Sequence, residues 1–303
     1  MTKKKNKNGI ALALGGGGVR ACIYIGFYEV LKKNKIPITH ITGTSMGAIV
    51  GAAMALGLAP TKIKDFARQY SSMNCFSLKN FAYFDEGIVK RNEVSRIISD
   101  LFGDKTFADT KIPFACTAVD LEMREEVVLN QGSIAKAVEA SSAYPVIFPP
   151  LFYKSKYLID GGILDGVPAM AARDIGAEKL LAVKIKTNIV RQHIAGQVYM
   201  KHYHKEEADL DFGKKLKNIL KKVKEFPKKK RNDITLLVDI LLESISIASE
   251  KNMNENLRKA KPDLLLEPVI DISLLDFSKL EDAIDLGREL AEKSLPQIKK
   301  LLF

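Results

Sequence analysis

The chain has 303 residues, of which 47% are hydrophobic and 27% charged, with a formal net charge of +11. That balance suits a globular protein with a substantial core and argues against a disordered or fibrous chain. Cys22, Cys75 and Cys116 are odd in number and widely spaced, with no CxxC or Cys/His ligand spacing, so neither a disulfide framework nor a zinc site is expected; free thiols fit a reducing compartment.

The basic start "MTKKKNKN" precedes only five apolar residues, too few for the hydrophobic region of an export signal, and no export is expected. Residues 10–14 read as a short buried strand stopped by four glycines, Gly15, Gly16, Gly17 and Gly18. Residues 19–33 read as a largely buried helix, 38–42 as a second strand and 46–57 as a helix of small residues. This β-loop-α-β-turn-α order opens a parallel α/β sheet. The uncharged window 41–59 carries glycines at GxxxG spacing. Its convincing apolar part begins only at Met46, which is buried-helix length and short for a membrane span.

Further on, residues 113–121 and 125–130 are expected strands, and a helix starts at Ser133 and is stopped by Pro145. A strand then leads into "LIDGG" (158–162), followed by a helix and a strand within 166–185 and a late strand within 262–274. The final helix, 278–293, is opened by a capping box of Ser278 and Glu281. Residues 191–260 interrupt this rhythm as a basic helical excursion from a single domain spanning 1–303. Within it, residues 214–231 hold ten Lys/Arg against one Glu, a net of +9. Leu216, Ile219, Leu220 and Val223 make a narrow apolar stripe there. A solvated charged helix and a peripheral membrane contact both fit this stretch; without interleaved aromatics it does not read as a specific nucleic-acid site.

"GTSMG" (43–47) fits G-x-S-x-G between a strand and a helix, which is the setting of a nucleophile elbow at Ser45. A tight turn with a capping serine is the plainer alternative. The glycine run matches G-x-G-x-x-G/A through Gly16, Gly18 and Ala21, but "THITGTS" offers no carboxylate for a ribose, and no G-K-[ST] follows for a phosphate loop. An oxyanion pocket of backbone amides beside Ser45 remains. For the base, His40 reads as structural; His193, His202 and His204 satisfy the chain order of an α/β-hydrolase triad; Asp160 is the other candidate, with Asp120 and Asp165 as rival carboxylates.

Taken together and in order, Gly15–Arg20 before a helix, Gly43–Gly47 as the elbow and Asp160-Gly161-Gly162 resemble the patatin-like phospholipases. The resemblance covers residues 10–60 and 113–186, and more faintly 262–290. It implies a three-layer α/β/α fold with a mainly parallel central sheet. It also implies a lipid acyl hydrolase without metal or other cofactor, with Ser45 as nucleophile, Asp160 as general base and the Gly15–Gly18 backbone as oxyanion hole. Arg20, Gly43, Gly47, Gly161 and Gly162 are the motif flanks. A base at neutral pH requires Asp160 to sit in a partly desolvated site. Ala21 and Asp165 depart from the family pattern, where glycine and asparagine are common. The implied partner is a lipid or phospholipid substrate; the basic stretch 214–231, which lies outside the resemblance, is expected from its own charge and apolar stripe to meet a membrane surface, with the protein cytoplasmic and peripheral on the inner membrane face. Two other readings stand beside this one: an esterase with a His-containing triad, and a non-catalytic membrane or polyanion binder using the basic stretch.

Overall fold

The computed structural model describes residues 8–72, 91–145, 147–187, 231–274 and 276–303. The chain divides into two compact units, one of Met1–Thr187 with Ser246–Phe303 and the other of Asn188–Ile245. The first is built on one sheet. His193, His202, His204, Cys75 and the basic stretch up to residue 230 lie outside the described residues.

Strands β1 (Ile10–Leu14), β2 (Ile38–Gly43), β3 (Phe114–Asp120), β4 (Glu125–Leu129), β5 (Leu151–Tyr153), β6 (Lys156–Asp160), β7 (Leu180–Val183) and β8 (Leu264–Leu266) form the sheet. Their order is β5-β6-β3-β2-β1-β7-β8, with β4 attached to β3. From β3 through β2, β1 and β7 to β8 every pairing is parallel; β4, β5 and β6 join antiparallel. The fold is α/β with a mainly parallel centre.

β1 shows why helices cover both faces. All five of its residues are fully buried, as a central parallel strand requires. Successive side chains point to opposite faces. Ile10, Leu12 and Leu14 enter the larger core with α1 (Ile23–Lys33), α2 (Met46–Ala55) and α8 (Leu280–Lys300), whereas Ala11 and Ala13 meet Ala169 and Ala172 of α6 (Ala169–Asp174) and Leu257 of α7 (Arg231–Ala260). Alanines on that second face let α6 approach the sheet closely. α2 is buried at all ten residues, which explains its uncharged sequence. Ten residues span about 15 Å, half a hydrocarbon core. Among the described residues no helix is long and apolar enough to cross a membrane.

Several elements differ from expectation. α3 (Pro60–Ser72) and α4 (Arg91–Phe102) have no counterpart among the expected elements, and the late strand shortens to β8. Ser133 does cap α5 (Ile134–Ser141), accepting from Lys136 N at 3.3 Å. The Ser278–Glu281 capping box does not form. α8 starts at Leu280 after a 3-10 turn, Ser278 Oγ donates to Asp276 Oδ1, and Glu281 is bound by Lys64 and Arg68 of α3 at 2.6 and 2.8 Å. Two cations from a packed neighbour outcompete one backbone amide for this carboxylate.

Candidate active site

β3 has three partners and only two edges, so one edge is shared. β4 pairs along Cys116–Asp120; β2 takes Phe114–Cys116, and β6 takes Ala118–Asp120. β2 ascends and ends at Gly43 opposite Cys116, while β6 descends and ends at Asp160 opposite Ala118. The two strand ends therefore meet head to head, and the residue between them on β3 is Thr117. Its hydroxyl lies 2.8 Å from that of Thr44, and a Cβ on Gly161 would sit 2.5 Å from Thr117 O. This junction brings the residues after Gly43 beside Asp160, although 115 positions separate Ser45 from Asp160 in sequence.

Ser45 occupies the turn from β2 into α2 at φ 57° and ψ −131°, a strained conformation for a residue with a side chain. Strain of this kind is the mark of a nucleophile elbow, which lifts the hydroxyl out of the turn. Ser45 is partly exposed, while both neighbours, Thr44 and Met46, are buried. The flanking glycines are there for space. A Cβ on Gly43 would lie 2.4 Å from Gly47 O, and one on Gly47 would lie 2.5 Å from both Leu14 O and Gly15 O. The Ser45 amide donates to Ser141 Oγ at the end of α5, at 3.0 Å. The same α5 terminus holds Asp160, whose amide donates to Ala143 O at 3.0 Å.

Asp160 is fully buried. Burial pushes its carboxyl up from the ordinary 3.8 to about 7, against the Ser45 hydroxyl and the Gly162 amide, which favour the charged form. Gly162 N donates to Oδ1 at 2.8 Å. Ser45 lies close enough to exert its pull without completing a hydrogen bond of ordinary geometry, and Oδ2 has no partner among the described residues. An oxygen of raised basicity thus stands beside the serine hydroxyl. Such looseness is common before substrate arrives.

The glycine loop leans against this pair: a Cβ on Gly16 would be 3.2 Å from Ser45 Cβ. Its four amides are not equivalent. Gly15 N donates to Val183 O at 3.3 Å and Gly16 N to Gly166 O at 2.9 Å, so these two are committed to the fold. This corrects the expectation of four oxyanion donors. The amides of Gly17 and Gly18 meet no acceptor among the described residues, and both residues have positive φ, at 147° and 56°. Arg20 folds back on the loop through Nε to Gly17 O at 3.3 Å.

The rival groups have other work. Asp120 is paired with Lys156 and accepts from Glu122 N and Met123 N, and the Lys156 ammonium holds its pKa below the usual range. Asp165 is fully buried; its Oδ1 accepts from Val167 N at 3.1 Å, shaping the turn that presents Gly166 O to Gly16. Burial, then the nearby Glu126 carboxylate, raises Asp165 to about 8. Glu126 is itself raised to about 7 by burial and by Asp174. His40 pairs with Ala11 low on β2, away from the elbow. Ser249 of α7 donates to Gly162 O, a support for the Asp160 turn that no local motif in the sequence reveals. Cys22 and Cys116 are free buried thiols, and among the described residues no cluster of His, Cys, Asp and Glu could hold a metal ion.

Residues 12–173 match the family model described as patatin-like phospholipase. The chain belongs to the patatin-like phospholipase family. It is similar to lysophospholipase NTE1 of Lodderomyces elongisporus, with 26% identity over 289 residues covering 94% of this chain and 19% of that protein. It is also similar to human patatin-like phospholipase domain-containing protein 6, with 30% identity over 183 residues, covering 59% and 13% respectively. The chain thus spans about a fifth of the fungal relative's length and less of the human one's. Among solved structures it is similar to VipD of Legionella pneumophila, with 14% identity, a TM-score of 0.49, and coverage of 94% of this chain and 67% of that one.

Proposed function

We propose that this patatin-like phospholipase hydrolyses carboxylic esters of phospholipids or lysophospholipids through a Ser45 acyl-enzyme, with Asp160 as its base. The observation that carries the reading is the meeting of a strained, partly exposed serine with a fully buried carboxylate whose pKa is about 7. Asp160 takes the Ser45 proton as Oγ attacks the ester carbonyl. The carbonyl oxygen gathers negative charge and is held by the Gly17 and Gly18 amides, each worth about 10²–10³ in rate. As the intermediate collapses, the leaving alcohol takes the proton from Asp160. Water then attacks the acyl-enzyme, giving its proton to Asp160, and the acid departs as Ser45 is reprotonated. The basic stretch 214–231 is proposed to draw the enzyme to anionic lipid surfaces, at about 1 kcal/mol per basic residue before screening.

Labelling with a fluorophosphonate probe tests the dyad. It is expected in the wild type, absent in Ser45→Ala and strongly reduced in Asp160→Asn. It should persist when His193, His202 and His204 are replaced together. Loss of labelling in a folded triple-histidine variant would instead support a His-containing triad, labelling unaffected by Ser45→Ala would move the nucleophile to another residue, and no labelling of the wild type would leave a shut site or the non-catalytic binder.

A further inference from the structure

β3 outruns its parallel partner. β2 stops opposite Cys116, and β3 continues to Asp120 between β4 and β6. At about 3.3 Å per residue, Asp120 stands about 13 Å beyond the end of β2, on the end of the sheet that carries Ser45. Two hairpins project there, β3–β4 and β5–β6.

One apolar row crosses their tips. Leu121 N donates to Tyr157 O at 2.9 Å, Tyr157 pairs with Phe152, and the two rings lie 5.0 Å apart. Residues opposite one another in antiparallel strands share a face. In the next row down that face, Val119 and Ile159 are buried. At the tip Leu121, Tyr157 and Phe152 are 43%, 48% and 60% exposed, and Met123 in the adjoining turn is 64% exposed. The charges of the two turns balance in number: Arg124, Lys154 and Lys156 against Asp120, Glu122 and Glu125, with Lys156 paired to Asp120 and the Lys154 ammonium bound to Gln131 O. A polyanion or polycation finds no net charge here. A second copy of the chain fits poorly too, because these side chains offer about 400 Å², half of what each partner contributes to a standard interface. A lipid–water interface requires neither net charge nor a large complementary shape, and it suits an amphipathic tyrosine among apolar neighbours.

From this placement we infer that the tips of the β3–β4 and β5–β6 hairpins dip into the apolar part of the lipid surface and set Ser45 against it. The inference rests on the lipid-ester reading of the site, but it concerns contact with the surface and not the chemistry. The contact is driven by apolar insertion, so it is independent of anionic lipid and of salt, unlike attraction through residues 214–231.

Sedimentation with vesicles of phosphatidylcholine alone, using the Ser45→Ala protein so that no lipid is consumed, reads the contact directly. Replacing Leu121, Met123 and Phe152 together by serine should lower partitioning at least about tenfold, with no dependence on salt. In the Ser45 background the same triple change should leave hydrolysis of a short, water-soluble ester unaltered. If Ser45→Ala retains that soluble-ester activity, the dyad reading fails while the vesicle result stands by itself. The chain has no tryptophan, so Phe152→Trp adds a single reporter whose emission should shift to the blue on adding the same vesicles. Undiminished binding by the serine variant overturns the inference, as does an unshifted indole emission from Phe152→Trp with vesicles bound. Binding seen only with anionic lipid and abolished by salt would transfer the contact to residues 214–231. A change in self-association by light scattering, with vesicle binding intact, would make the row a contact between copies.

Discussion

Replacing Asp160 by asparagine keeps the shape of the side chain and removes its titration. In the folded protein the carboxyl has a pKa of about 7 because burial penalises its charge; in the unfolded chain it returns to about 3.9. A carboxyl raised in the folded state contributes its full stability below the unfolded value and loses it as pH climbs towards the folded one. The wild type therefore loses about 0.5 kcal/mol at this site by pH 4, about 1.5 by pH 5 and about 4 by pH 7.5, with little change above. The asparagine variant loses none of this, though it meets a constant cost if the new NH₂ finds no acceptor. That cost cancels when pH values are compared. The stability gap between Asp160→Asn and wild type should thus widen in favour of the variant by roughly 3.5 kcal/mol from pH 4 to pH 7.5. Urea unfolding followed by circular dichroism at pH 4, 5 and 7.5 measures it, while esterase activity is lost throughout. A gap that stays constant with pH, or narrows, would refute the claim that Asp160 is held desolvated beside Ser45.

In the proposed reaction the same value sets the acid limb, because Asp160 as base must be ionised to accept the Ser45 proton. On a soluble ester, kcat/KM should rise about tenfold per pH unit and level off near 7; a limb near 4 would refute the burial argument. Asp165→Asn should leave this limb in place, since the Asp165 carboxyl interacts with Val167 N, Glu126 and Asn256 rather than with the serine. Gly47→Ala places a Cβ 2.5 Å from two backbone oxygens that hold the elbow. It should cost about 3 kcal/mol in urea unfolding and abolish fluorophosphonate labelling, and a near-neutral result would show that the β1 end can yield.

Much of this arrangement is legible in local chemistry alone. β1 and β2 are short apolar runs ended by glycine, and Ser45 sits between a strand and a helix, so the elbow follows from neighbours in sequence. The partner of Ser45 does not follow that way. Resemblance singles out Asp160 among the candidate bases, whereas its position beside Ser45 depends on β6 sharing an edge of β3 with β2. Long-range partners also decide which glycine amides stay free: Val183 and Gly166 take those of Gly15 and Gly16. Glu281 fails as a cap for an equally non-local reason, the approach of Lys64 and Arg68.

Ser45 and Asp160 each sit in a state that the chain would relax if it could, one in its backbone and the other in its solvation. Neither can relax without moving a strand end. Turning Ser45 back to ordinary φ would shift Thr44, whose amide bonds Leu14 O and whose hydroxyl meets Thr117 and Asp165 O. Hydrating Asp160 would open the turn that Gly162 N, Ser249 and Ala143 O keep closed. The costs are therefore carried by β1, β2, β3 and α5 together, while Asp160 Oδ2 has no hydrogen-bond partner among the described residues. In the proposed dyad, fixed backbones on both sides are what hold an attacking hydroxyl beside its base.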